Sequence, residues 1–312
     1  MEYDTAGDPM NGCKWTHKTT EKIARELGRV GIHVSSNTVA KLLKEMKFSL
    51  RVNIKNLESG GGKRKALDPS IRDRQFRYIK RQRRDYARHG LPVISVDTKA
   101  RVLIGQFYRK GRVWRRDAIE VLDHDFPSDA DGVGIPYSIY DTLRNDALVC
   151  VGISRDTAMF AVDAIRTWWM RAGRSHYPDA QEILILADCG GSNSYRTRLW
   201  KYQLQESFCN RVGLKVRVCH YPPGASKWNP IEHRVFPFIT ASWAGEPLVS
   251  YETMLKRIRT TRTKTGLKIR ACLIDKQYEK GIRISDDQMR DLSLKPYRVN
   301  PSWNYAIAPS KT

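Results

Sequence analysis

Apolar and polar positions follow two different periods along this chain, and the change falls near residue 91. Before it, apolar residues recur at helical spacing. Ile23, Ala24 and Leu27 follow Thr19 and Thr20, either of which can cap a helix by accepting a backbone N–H. Gly28 and Gly31 break the pattern. SSNTVAKLLKEM resumes it through Val39, Leu42, Leu43 and Met46, with Ser35 or Ser36 as cap. Helix, short turn and second capped helix is the order of a helix-turn-helix, though any helical hairpin shares it. Residues 69–88 predict a further helix, with Ile71, Phe76, Ile79 and Tyr86 partly on one side. Its Arg-Lys surface suits either nucleic acid or solvent.

From Leu91 the apolar runs shorten and are bounded by turn residues, as strands are. LPVISVD reads as a buried strand with VLIGQFYR as its antiparallel neighbour, and YSIYDTL and ALVCVGIS as further strands. Residues 157–171 predict an amphipathic helix, and EILILAD, 182–188, a fully apolar strand. SYRTRLWKYQLQESFCNRVG follows as a helix, KVRVCHY as a strand, and the segment from about Pro230 through Ser242 as a helix. Strand meander, helix, strand, helix, strand, helix is the order of an RNase H-like (retroviral-integrase-like) α/β domain. The expected division is therefore 1–50, a small α-helical helix-turn-helix module; 51–90, a basic linker and helix; and 91–312, the RNase H-like domain with a basic C-terminal extension.

Charge narrows the partner. The 312 residues carry 55 Lys plus Arg against 33 Asp plus Glu, a net charge of +22. Basic side chains gain affinity for DNA by releasing its condensed counterions, so a polyanion is the expected partner. The surplus is uneven: +2 over 1–50, +9 over 51–90, +4 over 91–240 and +7 over 241–312. A nearly balanced, Asp-rich middle between basic flanks suits a carboxylate site gripped to DNA from both sides. Ser36, Asn37 and Thr38, with Lys41 and Lys44, would meet base edges and phosphates. Lys63, Arg64 and Lys65 would cross the phosphate backbone; the run SGGGKRK that holds them lacks P-loop spacing. No stretch approaches the roughly 18 apolar residues of a membrane span, and the first residues do not resemble a secretory signal. A bacterial cytoplasmic protein, nucleoid-associated when on DNA and without a membrane partner, is expected. The six cysteines form no C-x-x-C pair and read as reduced, buried thiols; Cys219 beside His220 is the one weak ligand hint.

Three acids stand where chemistry would need them. Asp97 closes the strand LPVISVD, Asp188 closes EILILAD, and Glu232 lies in the first turn of the helix that NPIEHRVF begins. Open α/β sheets place ligands at the carboxyl edge of such strands. Converging carboxylates repel unless cations neutralise them, and two Mg²⁺ ions about 3.5–4 Å apart would also serve phosphoryl chemistry. Strand-end caps and surface salt bridges are the other reading of any one of these acids. Around them, Gly190, Gly191, Ser192 and Asn193 form a small polar turn where a DNA backbone could approach. Pro222, Pro223 and Gly224 would fix the loop carrying Lys227, Trp228 and Asn229 to the site. Lys227 suits a phosphate, and Trp228 a base or the core. His233 and Arg234 suit a phosphate or the Glu232 carboxylate. His124 and Asp125 are not expected as ligands, the trio being complete without them.

The segments PVISVDTK, ILADCGGSN and HYPPGASKWNPIEHRVF resemble DDE transposases of insertion sequences. More narrowly they resemble the ISAzo-type (Rhodopirellula-type) group, related to the mariner-like superfamily. DHDFP at 123–127, GIPYSIYD at 134–141 and SWNYAI at 302–307 extend the resemblance, which covers the chain from about Asp8. It implies that Asp97, Asp188 and Glu232 hold two Mg²⁺ (or Mn²⁺) ions. It also implies cleavage at an element's ends, followed by attack of the freed 3′-hydroxyl on target DNA. The partners implied are double-stranded inverted repeats and target DNA, with a homodimer on DNA as one arrangement. Members carry more chain ahead of the helix-turn-helix, including another DNA-reading unit, whereas about 18 residues precede it here. A shortened remnant that occupies element ends without transposing is therefore the alternative expectation. A nuclease of RNA–DNA hybrids fits the fold but not the helix-turn-helix.

Overall fold

The computed structural model describes the backbone of residues 5–7 and 14–16, and residues 18–50 and 68–310 in full. Lys63, Arg64 and Lys65 lie outside the described residues. The chain divides into two units, Met1–Glu58 and Ser59–Thr312.

In the first unit β1 (Thr5–Gly7) pairs antiparallel with β2 (Lys14–Thr16). Helix α1 (Thr20–Arg29) is capped by Thr19, which accepts from the Lys22 N–H at 3.2 Å. Helix α2 (Ser36–Glu45) is capped by Ser35, which accepts from the Thr38 N–H at 3.1 Å. The first residue of each candidate pair does the capping. The turn between the helices passes through Gly31 at φ +84°, a conformation glycine adopts freely. Ile23 and Val39 are the buried anchors of the two helices.

The first described element of the second unit is α3 (Pro69–Arg88). Asp68 caps it by accepting from the Ser70 N–H at 2.8 Å, and Pro69 occupies the first turn, where no N–H is missed. The strands that follow are β3 (Val93–Thr98), β4 (Val102–Ile104), β5 (Gly132–Asp141), β6 (Asp146–Gly152), β7 (Glu182–Ala187), β8 (Lys215–His220), β9 (Lys268–Ile274), β10 (Leu294–Pro296) and β11 (Asn304–Ile307). They form one sheet in the order β10–β11–β8–β7–β3–β5–β6–β9, with β4 attached to β5. The pairs β3–β5 and β5–β6 are antiparallel, whereas β3–β7 and β7–β8 are parallel. This is the meander followed by two crossover strands that the sequence predicts.

Three expectations need correction. The segment VLIGQFYR is not the partner of β3. Only Val102–Ile104 is strand, and it pairs with β5, because the chain turns away at Gly105 (φ +137°) and buries Phe107. The helix expected from Pro230 to Ser242 is two, α8 (Pro230–Arg234) and α9 (Phe236–Ser242), broken at Val235. Pro237 has no N–H to continue the ladder. The C-terminal region is no mere extension, since β9 completes one edge of the sheet and β10 and β11 the other.

Helices cover both faces. On one, α4 (Ala158–Trp168) runs through a π-helical turn into α5 (Arg174–His176), and α6 (Arg198–Gln203) likewise runs into α7 (Asn210–Val212). Ile94, Val96, Ile183 and Ile185 of the sheet pack there with Trp168, Trp200 and Phe208. On the other face α3 covers Val93, Leu184 and Leu186. Beside it α8, α9 and α10 (Tyr251–Arg259) cover Val149 and Val151. The final helix, α11 (Asp286–Arg290), carries a Ser285–Gln288 capping box.

Candidate active site

Because β3 and β7 are parallel neighbours, their carboxyl ends open on the same edge of the sheet. Alternation along β3 sends Ile94 and Val96 to the α4 face, and so Ser95 and Asp97 to the face that α3 and α8 cover. Asp188 follows β7 two residues after Leu186, which lies on that same face. Glu232 rides on the first turn of α8, which packs against β3 and β5. The structure thus brings the three acids together from three elements.

They act on one another electrostatically. Burial pushes the Asp97 carboxyl up to about 8, helped by the Asp188 charge and by Glu232, which is within hydrogen-bonding reach. The Thr98 N–H, donating to Oδ1 at 2.8 Å, opposes this. Burial also raises Asp188 to about 6, against an Asn229 amide that donates to its Oδ1 at 3.0 Å. Among the described residues no group of three or more His, Cys, Asp or Glu side chains is placed to hold a metal ion. The three acids are an all-oxygen set in which burial and crowding push Asp97 and Asp188 toward protonation.

A buried hydrogen-bond network fixes this set. Asn229, fully buried just ahead of α8, donates to Asp188 Oδ1 and to the Val96 carbonyl at 3.3 Å. Its own Oδ1 accepts from the Ser95 hydroxyl, which in turn accepts from the Ile231 N–H at 3.2 Å. One amide therefore ties together the three elements that bear the acids. From the opposite face, His220 Nδ1 lies 2.8 Å from the Asp188 carbonyl, which can only accept. The ring proton is therefore on Nδ1, and Tyr305, which accepts from Trp200 Nε1 at 2.9 Å, donates to Nε2 at 3.0 Å. Burial pushes His220 down to about 4, so the ring is neutral. Cys219 packs under α3 on the other face, so the Cys219–His220 ligand hint fails: strand neighbours point apart.

A cleft of about 360 Å³ runs along the edge, lined by Asp97, Thr98, Lys99, Arg101, Asp156, Asp188, Gly190 and Gly191. Gly191 sits at φ +70°, which explains glycine there. Asn193 is buried next to it, and its amide has no hydrogen-bond partner among the described residues. Lys99 and Asp156 were not foreseen. Burial lowers the Lys99 ammonium against the pull of Glu232, and burial raises Asp156, which accepts from the Thr98 hydroxyl at 3.2 Å. Ser95 was also missed, though a serine two residues before Asp97 in an otherwise apolar strand is a readable signal. Asp156 gave none, being one loop acid among many.

Other expected residues lie outside this cluster. Lys227 and Trp228 are exposed, the Trp228 ring at 57% and packed edge-on to Phe76 at 5.7 Å, so it is not core. His233 turns back to the Lys227 carbonyl and Arg234 faces solvent; neither bonds the Glu232 carboxylate. In the first unit Asn37, Thr38, Lys41 and Lys44 are exposed on α2 and Ser36 is half-buried; the Thr38 hydroxyl is engaged by Ser35 at 2.9 Å. His124 pairs with the exposed Asp123 at 3.1 Å and takes no part in the cleft. The five described cysteines are free and buried, as expected.

The strand order β6–β5–β3–β7–β8, with acids at its open edge, defines an RNase H-like domain. The chain belongs to the Rhodopirellula transposase DDE domain family, whose model matches residues 1–309, as the motifs led us to expect. A search of curated proteins finds no match. Among solved structures, the "Mos1 transposase paired-end complex with left transposon end" aligns at 16% identity and a TM-score of 0.44, over 77% of this chain and 65% of that one. The "Crystal structure of the Mos1 mariner paired end complex with Mn" aligns at 15% identity and 0.44, over 77% and 65%. The "Crystal structure of the Mos1 Strand Transfer Complex" gives 14% and 0.44, over 77% and 64%. This chain spans about two thirds of the length of those proteins.

Proposed function

We propose that this chain is a DDE transposase that cuts DNA at the ends of an insertion sequence and joins the freed 3′-hydroxyl to target DNA. Asp97, Asp188 and Glu232 would hold two Mg²⁺ or Mn²⁺ ions. The observation that carries this reading is the convergence of the three acids, from β3, β7 and α8, on one sheet edge, where burial and their mutual repulsion raise Asp97 and Asp188. The donor set fits hard divalent cations, which prefer carboxylate oxygens, and the cleft beside Asp97 and Asp188 leaves room for a substrate oxygen. Bound there, such ions would polarise a phosphodiester and activate the attacking hydroxyl.

The chain's own residues do the rest. Ser95 and Asn229 hold the carboxylates in register, and His220 fixes the main chain at Asp188. The turn at Gly190 and Gly191 keeps one wall of the cleft low for a DNA backbone, with Asn193 buried behind it. Lys227, His233 and Arg234, exposed on the loop and helix around Glu232, suit phosphates. In the first unit Ser36, Asn37 and Thr38 would read bases while Lys41 and Lys44 grip the backbone, and Lys63, Arg64 and Lys65 would add sequence-independent contacts. Residues 1–50 would then be the DNA-reading module, 51–90 linker and helix, and 91–312 the catalytic domain, working as a homodimer on inverted repeats. Among the described residues no helix is long and apolar enough to cross a membrane.

The test is cleavage of a duplex carrying the element's end, with Mg²⁺ or Mn²⁺ and product strands resolved on a gel. Asp97→Asn, Asp188→Asn and Glu232→Gln should each reduce cleavage and strand transfer to background without lowering Tm. A variant that cuts at the wild-type rate removes that residue from the metal set.

A further inference from the structure

Helix α3 carries a face that the site described above does not use. Arg74, Arg77, Arg81, Arg84 and Arg88 recur at intervals of three and four residues, so they share one stripe, and all five are exposed. Over 14 residues the stripe is about 21 Å long. A cleft of about 730 Å³, lined by four of these arginines with Lys80, lies along it.

Several basic groups elsewhere in this unit are matched by acids: Arg166 and Lys276 on Asp163, Arg270 on Asp146, Lys215 on Glu182, Arg257 on Glu246. Among the described residues no carboxylate lies within salt-bridge distance of any arginine of the stripe. Arg74 reaches only the Asn300 amide oxygen at 3.5 Å, and Arg81 lies over the Tyr78 ring at 5.3 Å. Asp85, the one acid lining the cleft, faces His89 at 3.7 Å. Like charges three and four residues apart each cost a helix a few tenths of a kcal/mol, a cost that a polyanion reverses.

The stripe is also held rigid. The Gln75 amide is paired reciprocally with Asn304, at 2.9 and 2.7 Å, and donates to the His220 carbonyl at 2.8 Å. About two turns on, Gln82 accepts from Arg217, whose guanidinium lies against the rings of Tyr86 and Tyr297. Buried contacts at Gln75 and Gln82 hold the inner face of the helix against the sheet, which leaves the arginine stripe facing outward. Phe76, near its start, packs against Tyr221 and Trp228, beside the loop leading to Glu232. Tyr86, near its end, reaches Glu182 at the start of β7. The stripe therefore runs from the edge that bears the acids to the opposite edge.

We propose that this stripe is a rail for the phosphate backbone of duplex DNA flanking the reacting bond, binding without regard to sequence. One strand of a duplex presents a phosphate every 3.4 Å or so along its axis, about six over the length of the stripe. The face offers guanidiniums and no exposed aromatic ring, since Tyr78 and Tyr86 are buried; it suits a duplex backbone rather than unstacked bases. The direction of the rail rests on the transposase reading; its charge complementarity does not.

The experiment measures binding of the full chain to two duplexes of unrelated sequence in EDTA, by fluorescence anisotropy across a salt series. In the triple variant Arg77→Gln/Arg81→Gln/Arg84→Gln the slope of log K against log[salt] should shrink by about 2.7 for both duplexes, since each phosphate contact contributes about 0.9. The Tm should be unchanged. Removing three exposed charges elsewhere, as Lys264→Gln/Lys268→Gln/Lys295→Gln, should leave the slope nearly intact. An unchanged slope, an equal loss in the control triple, a loss on one sequence alone, or a loss on single-stranded RNA but not duplex DNA would each overturn the rail. If wild type fails to cut with Mg²⁺ or Mn²⁺ while the stripe variant still loses its slope, the active-site reading falls and the rail stands.

Discussion

Asn229 satisfies the Asp188 carboxylate, the Val96 carbonyl and the Ser95 hydroxyl at once, from a position that is itself fully buried. Removing a buried partner of this kind costs about 1–3 kcal/mol, and partners of metal-binding carboxylates typically carry 10–100-fold in metal affinity or activity. Asn229→Ala and Ser95→Ala should therefore raise the half-saturating Mg²⁺ or Mn²⁺ concentration for cleavage about tenfold or more. Asn229→Asp, which swaps the donor for a further negative charge, should be worse than either. Unaltered half-saturation in all three would refute the positioning role. His220 supplies a second test, through pH. Its folded pKa, about 4, lies below the ordinary value near 6.5, so an unfolded chain takes up the proton first as acid is added. The stability it contributes is full above pH 6.5 and is lost as pH falls through 4. In EDTA the Tm gap between wild type and His220→Asn should be wide at pH 7 and should close toward pH 4. A gap that stays constant would show that this histidine is not the titrating group.

At the scale of elements, the sequence was legible where burial is uniform and opaque where it is not. Strands β3 and β7 are mostly apolar on both faces and lead into an acid, so periodicity and chemistry agreed on them. The same holds for α8, whose start Pro230 marks. β9, with the exposure of an edge strand and Lys268 and Arg270 facing water, did not look like a strand at all. β10 and β11 are three and four residues long, too short for a period to show. Two π-helical turns inside long helices left no trace in spacing, and Ser95, a polar residue in a core strand, was passed over because its partner is 134 residues away. Gln75 belongs with these. It looks like a polar surface residue of a basic helix, yet it is fully buried and joins α3 to β11. Gln75→Leu keeps the volume but strands the Asn304 Oδ1 and the His220 carbonyl, so it should cost several kcal/mol at about 1–3 per orphaned group. Thermal melts should show a Tm drop of several degrees or more. A variant as stable as wild type would mean that α3 is held by its apolar face alone.

The molecule as a whole is a polycation, yet acids gather where DNA would be cut. Asp97, Asp156 and Asp188, beside Lys99 and Arg101, line the cleft into which a phosphodiester would have to come, within a chain of net charge +22. Two unit charges about 6 Å apart at an effective dielectric near 20 repel by roughly 3 kcal/mol, an upper bound for a partly solvated cleft. The basic surface would then supply affinity, and the site would oppose it until cations arrive. The raised carboxyl groups make this separable by pH. Asp188, near 6, is largely ionised at pH 7 in metal-free protein, whereas Asp97, near 8, is largely protonated. In EDTA at pH 7, Asp188→Asn should tighten binding of a duplex end by up to about tenfold, and Asp97→Asn should change it little. At pH 9, where wild-type Asp97 has also lost its proton, both variants should bind more tightly than wild type. Ca²⁺, a hard cation of the same ligand preference, should strengthen wild-type binding and help each variant less. If the two variants follow the same pH course, or Ca²⁺ helps all three proteins equally, the negative charge that opposes DNA does not reside on these two aspartates.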